Sequence, residues 1–68
     1  MKFKYKLSLI LSEQGKTFYS MEKDIGLFRS TIYRGVTNRL QLAAIAYYVG
    51  MTVEELVEGT DAMDIWYG

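Results

Sequence analysis

GLFRSTIYRG, residues 26–35, is the stretch on which the fold turns. Only Leu27 and Ile32 fall where a buried helical face requires an apolar residue. Around them stand Phe28, Arg29, Ser30, Thr31, Tyr33 and Arg34, a set of two guanidiniums, three hydroxyls and an extra aromatic that must point largely outward. Gly26 suits a left-handed turn. Upstream, TFYSMEKDI (17–25) reads as a helix that Thr17 caps and whose inward residues are Met21 and Ile25. A helix, a tight glycine turn and a second helix over about 29–36 make a helix-turn-helix, with the second helix free to enter a DNA major groove.

The rest of the chain divides at its glycines, for there is no proline and no low-complexity linker. KYKLSLILSEQ (4–14) sets Leu7, Ile10, Leu11 and Gln14 at helical spacing, although the alternation in KFKYKL also fits a short strand. Asn38 can cap a helix over 39–49 that carries Leu42, Ile45, Ala46 and Val49 on one stripe, and Gly50 ends it. Thr52 with Glu55 three residues on reads as a capping box opening a last helix, 53–58. The expected fold is all-α, a bundle of five short helices. Its core is Met21, Ile25, Leu27, Ile32, Leu42, Ile45, Val49, Val53 and Leu56, and Ala43, Ala44 and Ala46 allow close approach of the fourth helix. Residues 1–59 form this domain and 60–68 a tail. DAMDIWYG has no clear period but is too apolar for a disordered end. Met63, Ile65, Trp66 and Tyr67 either fold back over the core or form a homodimer contact, since aromatics and Met are enriched at interfaces.

Inventory narrows the chemistry. The chain has 68 residues, no cysteine and no histidine. A domain this small buries only ~60% of the surface of its unfolded chain, and neither a disulfide nor a thiolate metal site assists it. A hydrolytic triad, a zinc enzyme and a histidine general base are excluded by composition. No acid pair, metal cluster or phosphate loop stands out, so no enzyme, metal or cofactor is expected. No apolar run reaches the ~20 residues of a membrane span. The lysines and short apolar run of MKFKYKLSLIL resemble a signal peptide, but Ser8 breaks the run and no small-residue cleavage site follows. The expected location is the cytoplasm.

The net charge is zero, yet it is segregated along the sequence. Residues 1–39 hold all eight bases and three acids, +5, whereas residues 40–68 hold five acids and no base, −5. Such asymmetry suggests a basic half that faces a polyanion and an acidic half that faces away.

TFYSMEKDIGLFRSTIYR resembles the lambda-repressor-like, Cro-type helix-turn-helix family: a capping Thr17, inward Met21 and Ile25, the turn Gly26, apolar Leu27, the polar pair Arg29 and Ser30, and inward Ile32. LAAIAYYVGMTVEELV is similar to the family's fourth and fifth helices, and the resemblance covers residues 7–58. It implies a sequence-specific regulator of double-stranded DNA, a small repressor of phage or mobile-element type that pairs as a homodimer and occludes a promoter. Arg29 and Ser30 then fall where base edges are met, with Phe28 beside them. Tyr33 lies on the same helix face as Arg29, and Arg34 reaches backbone phosphate. Thr37, Asn38 and Arg39 lie along the sugar–phosphate backbone, unless Asn38 spends its side chain as a cap. Lys16 and Thr17 stand at the positive end of the second helix, where phosphate is favoured. Lys2, Lys4 and Lys6 read as a diffuse electrostatic arm. Phe18, Glu22 and Phe28 depart from the family pattern. Tyr19, Glu22 and Phe28 leave open a protein-binding module, an antirepressor or inhibitor, and a non-specific architectural DNA binder is a further alternative.

Overall fold

A computed structural model describes residues 1–26 and 38–68, and all regular structure among them is helical. The expected third helix, 29–36, and the core positions Leu27 and Ile32 lie outside the described residues. The helices are α1 (Phe3–Glu13), α2 (Phe18–Ile25), α3 (Arg39–Val49), α4 (Val53–Val57) and α5 (Met63–Tyr67). Four of them coincide with expected helices to within a residue or two. The fifth forms in the tail, where no period is legible.

The caps explain the boundaries. Thr17 Oγ1 accepts the Ser20 N–H at 3.1 Å while the Thr17 N–H donates to Ser20 Oγ at 2.9 Å, a reciprocal box that opens α2. Asn38 Oδ1 accepts the Gln41 N–H at 2.9 Å and opens α3. Thr52 Oγ1 accepts the Glu55 N–H at 3.1 Å and opens α4. The Glu55 carboxylate, expected to reach back to the backbone, instead accepts the Thr52 hydroxyl at 2.9 Å. Gly26 (φ 75°) and Gly50 (φ 73°) end α2 and α3 in the left-handed conformation, which a Cβ disfavours.

Phe3, Leu7 and Leu11 of α1, Met21 of α2, Leu42, Ile45, Ala46 and Val49 of α3, Leu56 and Val57 of α4, and Ala62 make the buried core. Ile25 and Val53 are half-buried against it. Of the alanines expected to let α3 approach closely, Ala46 is buried and Ala44 half-buried, but Ala43 is exposed. Phe3, Val57 and Ala62 are core residues that the sequence reading leaves out, and Leu7 and Leu11, placed there only by helical spacing, join them. The strand alternative for the start of the chain is also settled: α1 begins at Phe3, because Phe3, Leu7 and Leu11 share one helical face against α4.

The two chain ends lie together. The Phe3 N–H donates to Asp61 Oδ1 at 3.0 Å, which places a carboxylate at the positive end of α1. The Asp61 N–H donates to the Met1 carbonyl at 3.1 Å, and the Met1 ammonium donates to the Gly59 carbonyl at 3.3 Å. Lys6 Nζ donates to the Glu55 and Glu58 carbonyls at 2.6 and 2.8 Å, closing the end of α4. Lys6 is therefore a fixed capping group and not part of a diffuse arm. Part of the basic half is folded directly against the acidic half, so separation of charge along the sequence is only partly a separation in space.

Candidate nucleic-acid interface

The expected DNA-contacting surface runs from the start of α2 to the start of α3. Phe28, Arg29, Ser30, Tyr33, Arg34 and Thr37 lie outside the described residues. Lys16, Thr17, Asn38 and Arg39 are within them. α2 packs against α3, which brings the two framing helices together. The two cations stand at opposite ends of α3, however. Arg39 is its first residue and Lys16 lies against Tyr48, near its last; nine helical steps correspond to about 14 Å.

The Lys16 ammonium donates to the Tyr48 carbonyl at 3.3 Å and to Gln14 Oε1 at 3.1 Å, and it sits 4.4 Å from the centre of the Tyr48 ring. Gln14 Nε2 in turn donates to the Val49 carbonyl at 2.8 Å. Together Gln14 and Lys16 satisfy carbonyls at the negative end of α3, where a cation is favoured. The Tyr48 hydroxyl, donating to Asp24 Oδ2 at 2.9 Å, ties the same end of α3 to α2. Lys16 thus serves first as a strut between α1 and α3. With two of its three N–H groups so engaged, one remains.

Thr17 uses its hydroxyl oxygen as the α2 cap, and Asn38 does the same for α3, the alternative use named for it from the sequence. Arg39 is held differently. Its guanidinium lies 4.4 Å from the centre of the Trp66 ring, so the tail reaches the start of α3. Trp66 and Ile65 are half-buried and pack on the chain's own core, whereas Met63 and Tyr67 are exposed. The four apolar tail residues are therefore divided between two surroundings. Ile65 and Trp66 cover this chain's core, while Met63 and Tyr67 face outward. The clue to Ser20 was legible as Thr17-x-x-Ser20. The Arg39–Trp66 contact has no sequence signature.

No protein-family model, curated protein or solved structure matches the chain.

The remaining surface offers little alternative chemistry. An open groove of about 460 Å³ runs between α1 and the start of α2, lined by Ser8, Leu11, Ser12, Lys16 and Phe18 among others. Among the described residues no group of three or more carboxylates is placed to hold a metal ion. No helix among them is long and apolar enough to cross a membrane. Among the described residues the most exposed large apolar side chains are Tyr47, at 90%, and Leu40, at 82%, both on α3, and Tyr19 on α2 is 62% exposed. The sequence reading left Leu40 and Tyr47 unassigned. Their spacing of seven along one helix face was the signal that would have found them.

Proposed function

We propose that the protein is a sequence-specific double-stranded DNA-binding regulator, a small cytoplasmic repressor of phage or mobile-element type that binds as a homodimer and occludes a promoter. The observation that carries this reading is the frame on either side of residues 27–37. α2 opens on a reciprocal cap and stops at a left-handed glycine, α3 opens on Asn38 with Arg39 in its first turn, and the two helices pack together. The segment between them supplies Arg29 and Arg34 with several hydroxyls, the side-chain types that read base edges and phosphates. One recognition helix reads few base pairs, so specificity against a genomic excess of competitors favours two copies about one DNA turn apart, ~34–36 Å.

A second reading is a helix-turn-helix-derived protein-binding module. The exposed Tyr19, Leu40 and Tyr47 favour it, because aromatic side chains are enriched at interaction surfaces. Selection of bound fragments from a random duplex pool decides between the two. Enrichment of one short palindrome supports the repressor. A pool that emerges unenriched at low salt rejects it in favour of a protein partner or an architectural DNA binder.

A further inference from the structure

Arg39 opens α3 and Trp66 lies in α5 of the tail, and their contact joins the expected DNA-facing edge to the tail. The ring is set by the fold. Ala62 is buried, the Thr60 hydroxyl accepts the Ala62 N–H at 3.2 Å and donates to the Val57 carbonyl at 2.7 Å, and the Trp66 N–H donates to the Ala62 carbonyl at 3.2 Å. α5 packs on both α3 and α4. The indole is thus a fixed platform, and the Arg39 guanidinium rests over it at 4.4 Å. A guanidinium carries five N–H donors. Among the described residues, the Arg39 guanidinium makes no hydrogen bond or ion pair, so the ring holds the group without occupying its N–H donors.

We infer that Trp66 is a positioning residue for Arg39: the tail presents the guanidinium, already ordered, to a phosphate of the DNA backbone. This rests on the DNA-binding reading above. The physical reason is entropic. A long arginine side chain on an exposed first turn samples many rotamers, and ordering them upon binding weakens affinity. A ring that limits those rotamers in the free protein moves that cost from binding to folding. The mere alternative is that the contact clamps the tail and does nothing for binding.

The test uses the full chain and a short mixed-sequence duplex, with affinity measured by anisotropy across a salt series. Trp66→Leu keeps an apolar group on the core and removes the aromatic platform. It weakens binding by about two- to five-fold at every salt concentration, and Trp66→Phe restores most of the loss. The salt slope stays unchanged in Trp66→Leu, because Arg39 still neutralises its phosphate, whereas Arg39→Gln lowers the slope by about 0.9. In the Arg39→Gln background, Trp66→Leu has no further effect. Arg39→Lys leaves the tail intact, keeps the slope and weakens binding; it serves if Trp66→Leu does not fold. Trp66 is the sole tryptophan, and its emission shifts in Arg39→Gln without any DNA. Additive losses in the double variant, or an emission unmoved by Arg39→Gln, overturn the positioning role while leaving DNA binding standing. A wild-type chain that does not bind the duplex at low salt overturns both.

Discussion

At the scale of single residues, three lysines that look equivalent in the sequence have unlike surroundings. Lys2 is exposed, Lys4 lies 5.4 Å from the Tyr5 ring centre, and Lys6 closes the end of α4. Replacing Lys6 with Met keeps the aliphatic stem and removes the ammonium, which leaves two carbonyls with water as their only substitute. We expect a loss of about 1 kcal/mol in urea unfolding, since charge-assisted hydrogen bonds at an exposed site fall below the range for buried ones. Lys2→Met should change stability by less than about 0.5 kcal/mol. Equal effects for the two would mean that Lys6 makes no specific cap. The arginines outside the described residues separate by role instead. Arg29→Ala should weaken a preferred DNA site by ~1–3 kcal/mol and relax preference at one base pair, while Arg34→Ala weakens all sequences alike. Binding profiles that shift identically would remove the distinction between base reading and phosphate contact.

At the scale of elements, α2, α3 and α4 begin where a side chain can take the free N–H three residues on, and α2 and α3 end at glycine. That is why Thr17, Asn38 and Thr52 were legible as starts and Gly26 and Gly50 as stops: each cap is a contact within one turn, set by neighbours in the sequence. Gly26 offers a test of the backbone conformation, because among the described residues a Cβ there meets nothing within 4 Å while its φ is +75°. Gly26→Ala should destabilise by about 1–2 kcal/mol. Gly26→Asn should cost less, because asparagine tolerates the left-handed region better. Thermal melts that rank alanine at or above asparagine would contradict a positive φ at this turn. α5 was not legible for the complementary reason. It has five residues, no side-chain cap and no fully buried residue, so it takes its form from α3 and α4 beneath it.

At the scale of the whole molecule, the tail is part of the one core. Deleting residues 60–68 removes Ala62, Ile65 and Trp66 from it, together with the Asp61 contact to α1. The loss should be about 3–5 kcal/mol, against a total stability of roughly 3–10 kcal/mol for a chain this long. The shortened chain should therefore unfold at a markedly lower urea midpoint than the full chain, followed by circular dichroism at 25 °C. An unchanged midpoint would show that the tail is a separate appendage and not part of the core. The charge distribution bears on binding in the same way. If the arginines of 29–39 face DNA, log K should fall linearly with log salt, at about −0.9 per neutralised phosphate. A flat response between low and physiological ionic strength would leave the segregation of charge without a role in binding DNA.

The sequence by itself determined the all-α class, the limits of α2, α3 and α4 and most of the core face, because helical period and capping act over three or four residues. The tertiary structure alone decided what Phe3, Lys6, Lys16 and Trp66 do. Their partners, Asp61, Glu55 and Glu58, Tyr48, and Arg39, lie far away along the chain and are brought near only when the helices pack. A lysine or a tryptophan carries no mark of which distant carbonyl or guanidinium it will meet. Of the ten candidate surface residues, four are described: the capping use of Thr17 and Asn38 was legible in the sequence, whereas the strut made by Lys16 and the hold of the tail on Arg39 were not. The physical reason is that a polar side chain satisfies the nearest unpaired backbone group first, and which group is nearest is a property of the packed molecule.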